Sequence, residues 1–140
     1  LRLIRAHYPS LQLGGLEVAE VAAKMASDRL GIPIDCAMLP DGLPERQYDA
    51  ILSCYTLTYL DPEDAHVTML KLNRMAQKVL ILAEPMCIQQ EELGLCRHDG
   101  LPEWKHDYQK VFRALGWRTA WKWPVMPPVG NLNVTLVMER

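Results

Sequence analysis

The stretch "LQLGGLEVAE", Leu11 to Glu20, passes from apolar residues to an acid, Glu17, and then straight into a helical pattern. In open α/β sheets that bind nucleotides, an acid placed after a strand grips a ribose. An ionised carboxylate accepting from the 2′ and 3′ hydroxyls makes stronger hydrogen bonds than a neutral acceptor. The plainer reading of Glu17 is a helix N-terminal acid stabilised by the helix dipole. A ribose acid normally follows a glycine-rich loop by about 20 residues, and only sixteen residues precede Glu17 here.

Two further segments bring reactive side chains to the ends of apolar runs. Ser53, Cys54, Tyr55 and Thr56 close the run that starts at Tyr48, and Glu84 and Pro85 close "KVLILAEP". Ligands of open α/β sheets lie outside the carboxyl ends of the strands, so both sets face the expected crevice. Glu84 is a candidate to orient a substrate or take its proton; the alternative is a solvated strand end. Tyr55 and Tyr59 are candidates for the same wall and suit packing equally well. Cys87, Cys96, His98, Asp99 and His106 cluster, but the spacing Cys-x8-Cys-x-His-x7-His lacks the short paired spacings of structural zinc sites. No metal is expected. Positions 86–103 read instead as a polar insert or lid over the crevice. His7 and His66 read as helix-surface residues.

The elements that must position these residues alternate. Leu1, Ile4 and Tyr8 space a short helix that Pro9 closes. Leu11, Leu13 and Leu16 give a strand with Gly14 and Gly15 inside it, a sign of close backbone approach or a bulge. Val18, Val21, Ala22, Met25, Ala26 and Leu30 recur at helical spacing up to Gly31. "IPIDCAML" is a strand candidate, "LPDGLPERQ" a loop, and "YDAILSCY" a buried strand. Asp61 is the expected N-cap of the next helix, with Pro62 at its first position and Ala65, Met69, Leu72 and Ala76 on one face. "KVLILAEP" is an uninterrupted apolar strand, as in a sheet covered on both sides. Trp104, Tyr108, Val111, Phe112 and Leu115 read as a helix ending at Gly116, and "WRTAWKWPV" and "NLNVTLVMER" as two strands. Such alternation predicts an α/β fold, a doubly wound, mostly parallel sheet. The last two strands, with no helix between them, should pair antiparallel. Trp117, Trp121 and Trp123 share parity and should point to one face, as core or as a dimer or protein-partner surface.

Composition narrows the classes. The 140 residues suffice for one domain with a real core, expected over 1–140. Hydrophobic residues are 49% and charged ones 23%, a balance that fits an ordinary globular chain. The net charge of -2 and the lack of a basic block do not indicate nucleic acid. No apolar run is long enough for a membrane span. Four scattered cysteines suggest a reduced, cytoplasmic protein.

Taken in order, these segments resemble a class I S-adenosylmethionine-dependent methyltransferase. "LQLGGLEVAEVAAKMA" is similar to that family's second strand, ribose acid and following helix; "QYDAILSCYTLTYLDPEDAHVTMLKLNRMA" to its fourth strand and helix. "KVLILAEP" resembles the fifth strand, and "YQKVFRALGWRTAWKW" with "NVTLVMER" the closing helix and antiparallel strands. The family's first strand and glycine-rich loop have no counterpart. The expectation is that the sequence starts inside a longer protein, because losing a central strand would expose unpaired backbone. Alone, it should bind cofactor poorly.

The resemblance implies S-adenosylmethionine as cofactor. Glu17 would hold the ribose, with Val18 and Ala19 near the sugar or base edge, which suit a plain helix start equally. Met38 and Leu39 would cover the adenine and Asp41 accept from its amine, though Asp-Gly turns are common for conformational reasons. Ser53 and Cys54 would line the cofactor, and Tyr55 and Glu84 the acceptor side. The sulfonium methyl is already activated, so placement of the acceptor supplies most of the rate and no catalytic dyad is needed. A small-molecule acceptor fits the lack of a basic stripe better than RNA or protein. Two other readings stay open: a catalytically silent protein-interaction module of the same fold, and an NAD-binding Rossmann domain.

Overall fold

The computed structural model describes residues 1–85, 94–98, 101–125 and 133–140. The chain divides into two compact units, Leu1–Leu43 and Pro44–Arg140.

The first unit contains α1 (Arg2–His7), β1 (Gly15–Glu17), α2 (Glu20–Leu30) and β2 (Ile34–Cys36). β1 and β2 pair in parallel, with Glu17 opposite Cys36. The strand is shorter than the apolar pattern suggests and begins at Gly15. A Cβ at Gly15 would lie 2.7 Å from Ile34 Cδ1, so the close approach expected of a strand glycine is present. α2 stops where Gly31 turns left-handed at φ 62, a conformation glycine adopts without a Cβ clash. The Arg5 guanidinium bonds the carbonyls of Leu30 and, at 2.8 Å, Gly31. That contact ties α1 to the end of α2, where a cation complements the helix dipole.

The second unit contains β3 (Tyr48–Cys54), a 3₁₀ turn (Leu57–Tyr59), α3 (Pro62–Met75), β4 (Ala76–Pro85), β5 (Gly94–His98), β6 (Leu101–Lys105), α4 (Tyr108–Ala114), β7 (Arg118–Val125) and β8 (Asn133–Glu139). Its main sheet has the order β3-β4-β8-β7. β3 and β4 are parallel, while β8 runs antiparallel to both β4 and β7. The closing antiparallel pair is therefore as the sequence pattern requires. Asp61 caps α3, its Oδ1 accepting from Glu63 N at 3.0 Å and Asp64 N at 2.9 Å. Ala76, expected on the helix face, instead opens β4 and is fully buried.

The core lies on one side of this sheet. Leu80 and Leu82 of β4 and Val134, Leu136 and Met138 of β8 meet the buried faces of α3 (Ala65, Met69, Leu72) and α4 (Tyr108, Phe112). Trp117 fills the gap; its indole donates to Asn73 Oδ1 at 2.9 Å, Phe112 meets it edge-on, and Arg140 lies over its ring. Burial alternates along β4, with Val79, Ile81 and Ala83 only half-buried, so the continuous apolar run is not enclosed on both faces to the same degree.

Two further expectations are corrected. Trp104 lies in β6, not in a helix, because Asp107 caps α4 and its Oδ1 accepts from Lys110 N at 3.0 Å. The three late tryptophans do not share a face. Pairing shifts register between Thr119 and Trp121, and one extra residue in a strand reverses the alternation that follows. Trp117 is thus buried, whereas Trp121 and Trp123 are 50% and 54% exposed and lie against each other with ring centroids 5.1 Å apart. Within the expected insert, β5 and β6 pair antiparallel, His98 with Leu101 and Gly94 with Lys105. Cys87 and Asp99 fall outside the described residues, and with them the metal reading of that stretch. Among the described residues no helix is long and apolar enough to cross a membrane.

Candidate active site

In the first unit, Glu17 ends β1 half-buried and its Oε1 accepts from Ala19 N at 3.1 Å. The carboxylate thus does the local helix-start work that α2 needs, since its cap residue Ala19 has no side-chain bond of its own. Oε2 receives no hydrogen bond from any described residue, which leaves a charged acceptor at the end of the strand. Ala37 N bonds Glu17 O at 3.1 Å and Cys36 Sγ meets Val18 O at 3.5 Å, so β2 and the loop after it stay beside Glu17. Val18 and Met38 are 58% and 70% exposed, large apolar side chains left open on this loop cluster. Leu39 is half-buried and Asp41 exposed. Gly42 closes the turn by donating to Met38 O at 2.7 Å, and a Cβ there would lie 2.4 Å from Ala37 Cβ. Gly42 is therefore needed for the turn itself, whatever Asp41 does.

In the second unit, the carboxyl ends of β3 and β4 are joined by a buried carboxylate. Glu84 has no exposed surface. Its Oε1 accepts from Ser53 Oγ at 2.6 Å, Thr56 N at 3.0 Å and Leu57 N at 3.3 Å, and Oε2 from Thr56 N at 3.1 Å. Burial pushes its pKa above the usual value, and the donors of Ser53, Thr56, Leu57 and Thr58 oppose that rise. A solvated strand end is excluded by this burial. Ser53 is itself buried and turned toward Glu84, while Cys54 and Tyr55 are exposed.

The chain bends at Tyr55, a non-glycine residue with a left-handed φ of 49. Its N–H reaches Ala83 O at 3.1 Å. The Cys54 thiol is pushed up, first by desolvation and then by the Glu84 charge, so it stays protonated at neutral pH and is a poor nucleophile. Burial, and less so Glu84, also raises the Tyr108 phenol, whose hydroxyl is inaccessible and has no hydrogen-bond partner among the described residues.

Two residues frame this corner in roles that pattern reading did not assign: Thr58, which it did not single out, and His106, which it weighed only as a metal ligand. Thr58 Oγ1 donates to Trp104 O at 3.0 Å, and His106 Nε2 lies 3.1 Å from Leu60 O. A carbonyl partner requires the proton on Nε2. His106 is lowered below the usual imidazole value by burial, against the pull of the Leu60 and Leu57 backbone and the Asp61 charge. Both side chains hold β6 to the turn after β3. No short motif marks such long-range side-chain-to-backbone bonds in advance.

A depression of about 430 Å³ lies between α3 and α4 and includes His66, Met69, His106 and Lys110.

No protein-family model matches the chain, and no curated protein matches its sequence. Solved structures do match its fold. One is magnesium protoporphyrin IX methyltransferase from Synechocystis PCC 6803 with S-adenosylhomocysteine, at TM-score 0.70 and 15% identity, over 91% of this chain and 63% of that one. Another is 1,6-didemethyltoxoflavin-N1-methyltransferase from Burkholderia thailandensis, at TM-score 0.70 and 12% identity, over 96% of this chain and 64% of that one. A third is an S-adenosylmethionine-dependent methyltransferase from Methanosarcina mazei, at TM-score 0.67 and 10% identity, over 91% and 81%. The chain therefore has the fold of class I methyltransferases and spans less than two thirds of the first two enzymes.

Proposed function

We propose that the chain belongs to a methyltransferase that uses S-adenosylmethionine and methylates a small molecule. The observation that carries the reading is Glu17, a carboxylate at the end of β1 whose Oε2 has no donor among the described residues. Such a group suits a ribose hydroxyl. Val18 and Met38 supply exposed apolar surface of the kind an adenine ring covers, with Leu39 and Asp41 on the same loop. These residues fit an adenosyl group. When bound, S-adenosylmethionine supplies the activated methyl.

The work left to the protein is placement and exclusion of water. Ser53, Cys54 and Tyr55 leave β3 at its carboxyl end, where ligands of this fold class lie. Tyr55, 43% exposed, is the side chain of that bend best suited to touch an acceptor. The net charge of -2 favours a small uncharged or cationic acceptor over RNA.

The test is a nuclear magnetic resonance titration of the chain with S-adenosylhomocysteine. Amide signals of Val18, Ala19, Glu20, Val21, Met38, Leu39 and Asp41 should shift, and Glu17→Ala should weaken binding about 10- to 100-fold, as expected for lost hydrogen bonds to a charged group. Shifts at these positions with NAD but not with S-adenosylhomocysteine would favour the nicotinamide reading instead. A second reading, a catalytically silent partner-binding module, is favoured by one observation: the exposed Trp121–Trp123 pair. Sedimentation of Trp121→Ser/Trp123→Ser against wild type tests it, since self-association through that pair would be lost.

A further inference from the structure

Glu84 is placed where a substrate base does not belong. It has no accessible surface, and the polar groups bonded to it are donors from its own chain: Ser53 Oγ, Thr56 N and Leu57 N. Ser53 lies at the end of β3, and Thr56 and Leu57 on the segment leaving it. A side chain at the end of β4 thus does for the 3₁₀ turn what an N-cap does for a helix, satisfying N–H groups that the turn leaves open.

That segment needs holding. A non-glycine residue at a left-handed φ, as at Tyr55, is disfavoured by roughly 1–2 kcal/mol. Its N–H is fixed to Ala83 O, one residue before Glu84. Two neighbouring residues of β4, one by its carbonyl and one by its carboxylate, therefore bend the chain so that the Tyr55 ring emerges beside the strand ends. The far side of the turn is tied as well, Thr58 to Trp104 and His106 to Leu60. The β5–β6 hairpin thereby rests on the turn that Glu84 holds.

We infer that Glu84 is a positioning residue: acting through the Thr56 and Leu57 amides, it sets Tyr55 at the acceptor wall and seats the hairpin, touching neither methyl donor nor acceptor. The purpose of the wall rests on the methyltransferase reading; the clamp itself does not.

The test compares amide protons in the wild-type chain, Glu84→Gln and Glu84→Asp. In wild type, Thr56 and Leu57 should resonate downfield and exchange slowly. In Glu84→Gln both signals should move upfield and exchange about tenfold faster, equivalent to ~1.4 kcal/mol of lost charge-assisted bonding, with Leu80 and Leu82 unchanged. Glu84→Asp keeps the charge but is one methylene short, so it should show the same loosening; a proton-taking role would be rescued by it. It also carries the test if the Gln variant does not fold. Wild-type protection at Thr56 and Leu57 in either variant overturns the clamp. The same samples titrated with S-adenosylhomocysteine keep the two ideas apart. A wild-type chain that fails to bind counts against the methyltransferase reading and leaves the amide result standing. Where wild type binds, Glu84→Gln should bind with wild-type affinity, because the proposed adenosyl contacts Glu17, Val18 and Met38 belong to the first unit. A tenfold weaker affinity would mean that Glu84 serves the donor site and would overturn its assignment to the acceptor wall.

Discussion

The burial of Glu84 makes a signed prediction about pH. Its folded-state pKa lies above the ordinary 4.5, because burial disfavours the anion more than its donors favour it. Between 4.5 and that raised value, the folded chain holds a proton that the unfolded chain has released. The contribution of Glu84 to stability is therefore complete below 4.5 and declines as pH rises to the folded pKa, then stays level. One proton limits the slope to about 1.4 kcal/mol per pH unit. Cys54 and Tyr108, the titratable neighbours that feel its charge, are both pushed upward and stay neutral across this window. Urea unfolding of wild type and Glu84→Gln across a pH series measures the effect, because subtraction removes the other carboxylates. Wild-type stability minus that of the variant should fall with rising pH. A difference that is flat, or that grows with pH, would mean that the hydrogen bonds outweigh desolvation, and the reasoning would be wrong.

Other expectations follow from single contacts. Trp117→Ala removes a side chain only 2% exposed and should cost about 3–5 kcal/mol in urea unfolding. Asp61→Ala frees two amides at the start of α3 and should cost about 1 kcal/mol, read by the same melts. Gly42→Ala puts a Cβ within 2.4 Å of Ala37 Cβ and 2.7 Å of Met38 O. The turn must shift, which should cost about 1–3 kcal/mol and move the amide signals of Met38 and Leu39.

Local chemistry was legible in the sequence wherever it is contained within a few residues. Asp61, Pro62 and the acids after them specify a helix start, and they form one. Gly31 specifies a helix stop, and it takes the left-handed turn. The order of strands and helices was enough to anticipate the α/β fold and the antiparallel closing pair. Long-range and single-residue effects were not legible. Glu84 shares no sequence neighbourhood with Ser53, Thr56 or Leu57, so a buried clamp and a solvated strand end look identical in one dimension. Trp104 sits at helical spacing from Tyr108, yet Asp107 as cap decides where the helix begins. Gly15 reads as a strand interior, yet the ladder with β2 starts only at Gly15, opposite Ile34.

The extra residue in β7 has a practical outcome. It separates three of the four indoles into two optical populations: Trp117 enclosed among Phe112, Asn73 and Arg140, and Trp121 and Trp123 exposed, their rings 5.1 Å apart. The half-buried Trp104 of β6 is removed from the signal by Trp104→Phe. The enclosed ring should emit at shorter wavelength and resist iodide. The outer two should be quenched by it and, by exciton coupling, give their own circular dichroism band. Loss of that band with the short-wavelength emission intact would report fraying of β7 from β8 while the α3–α4 side stays packed.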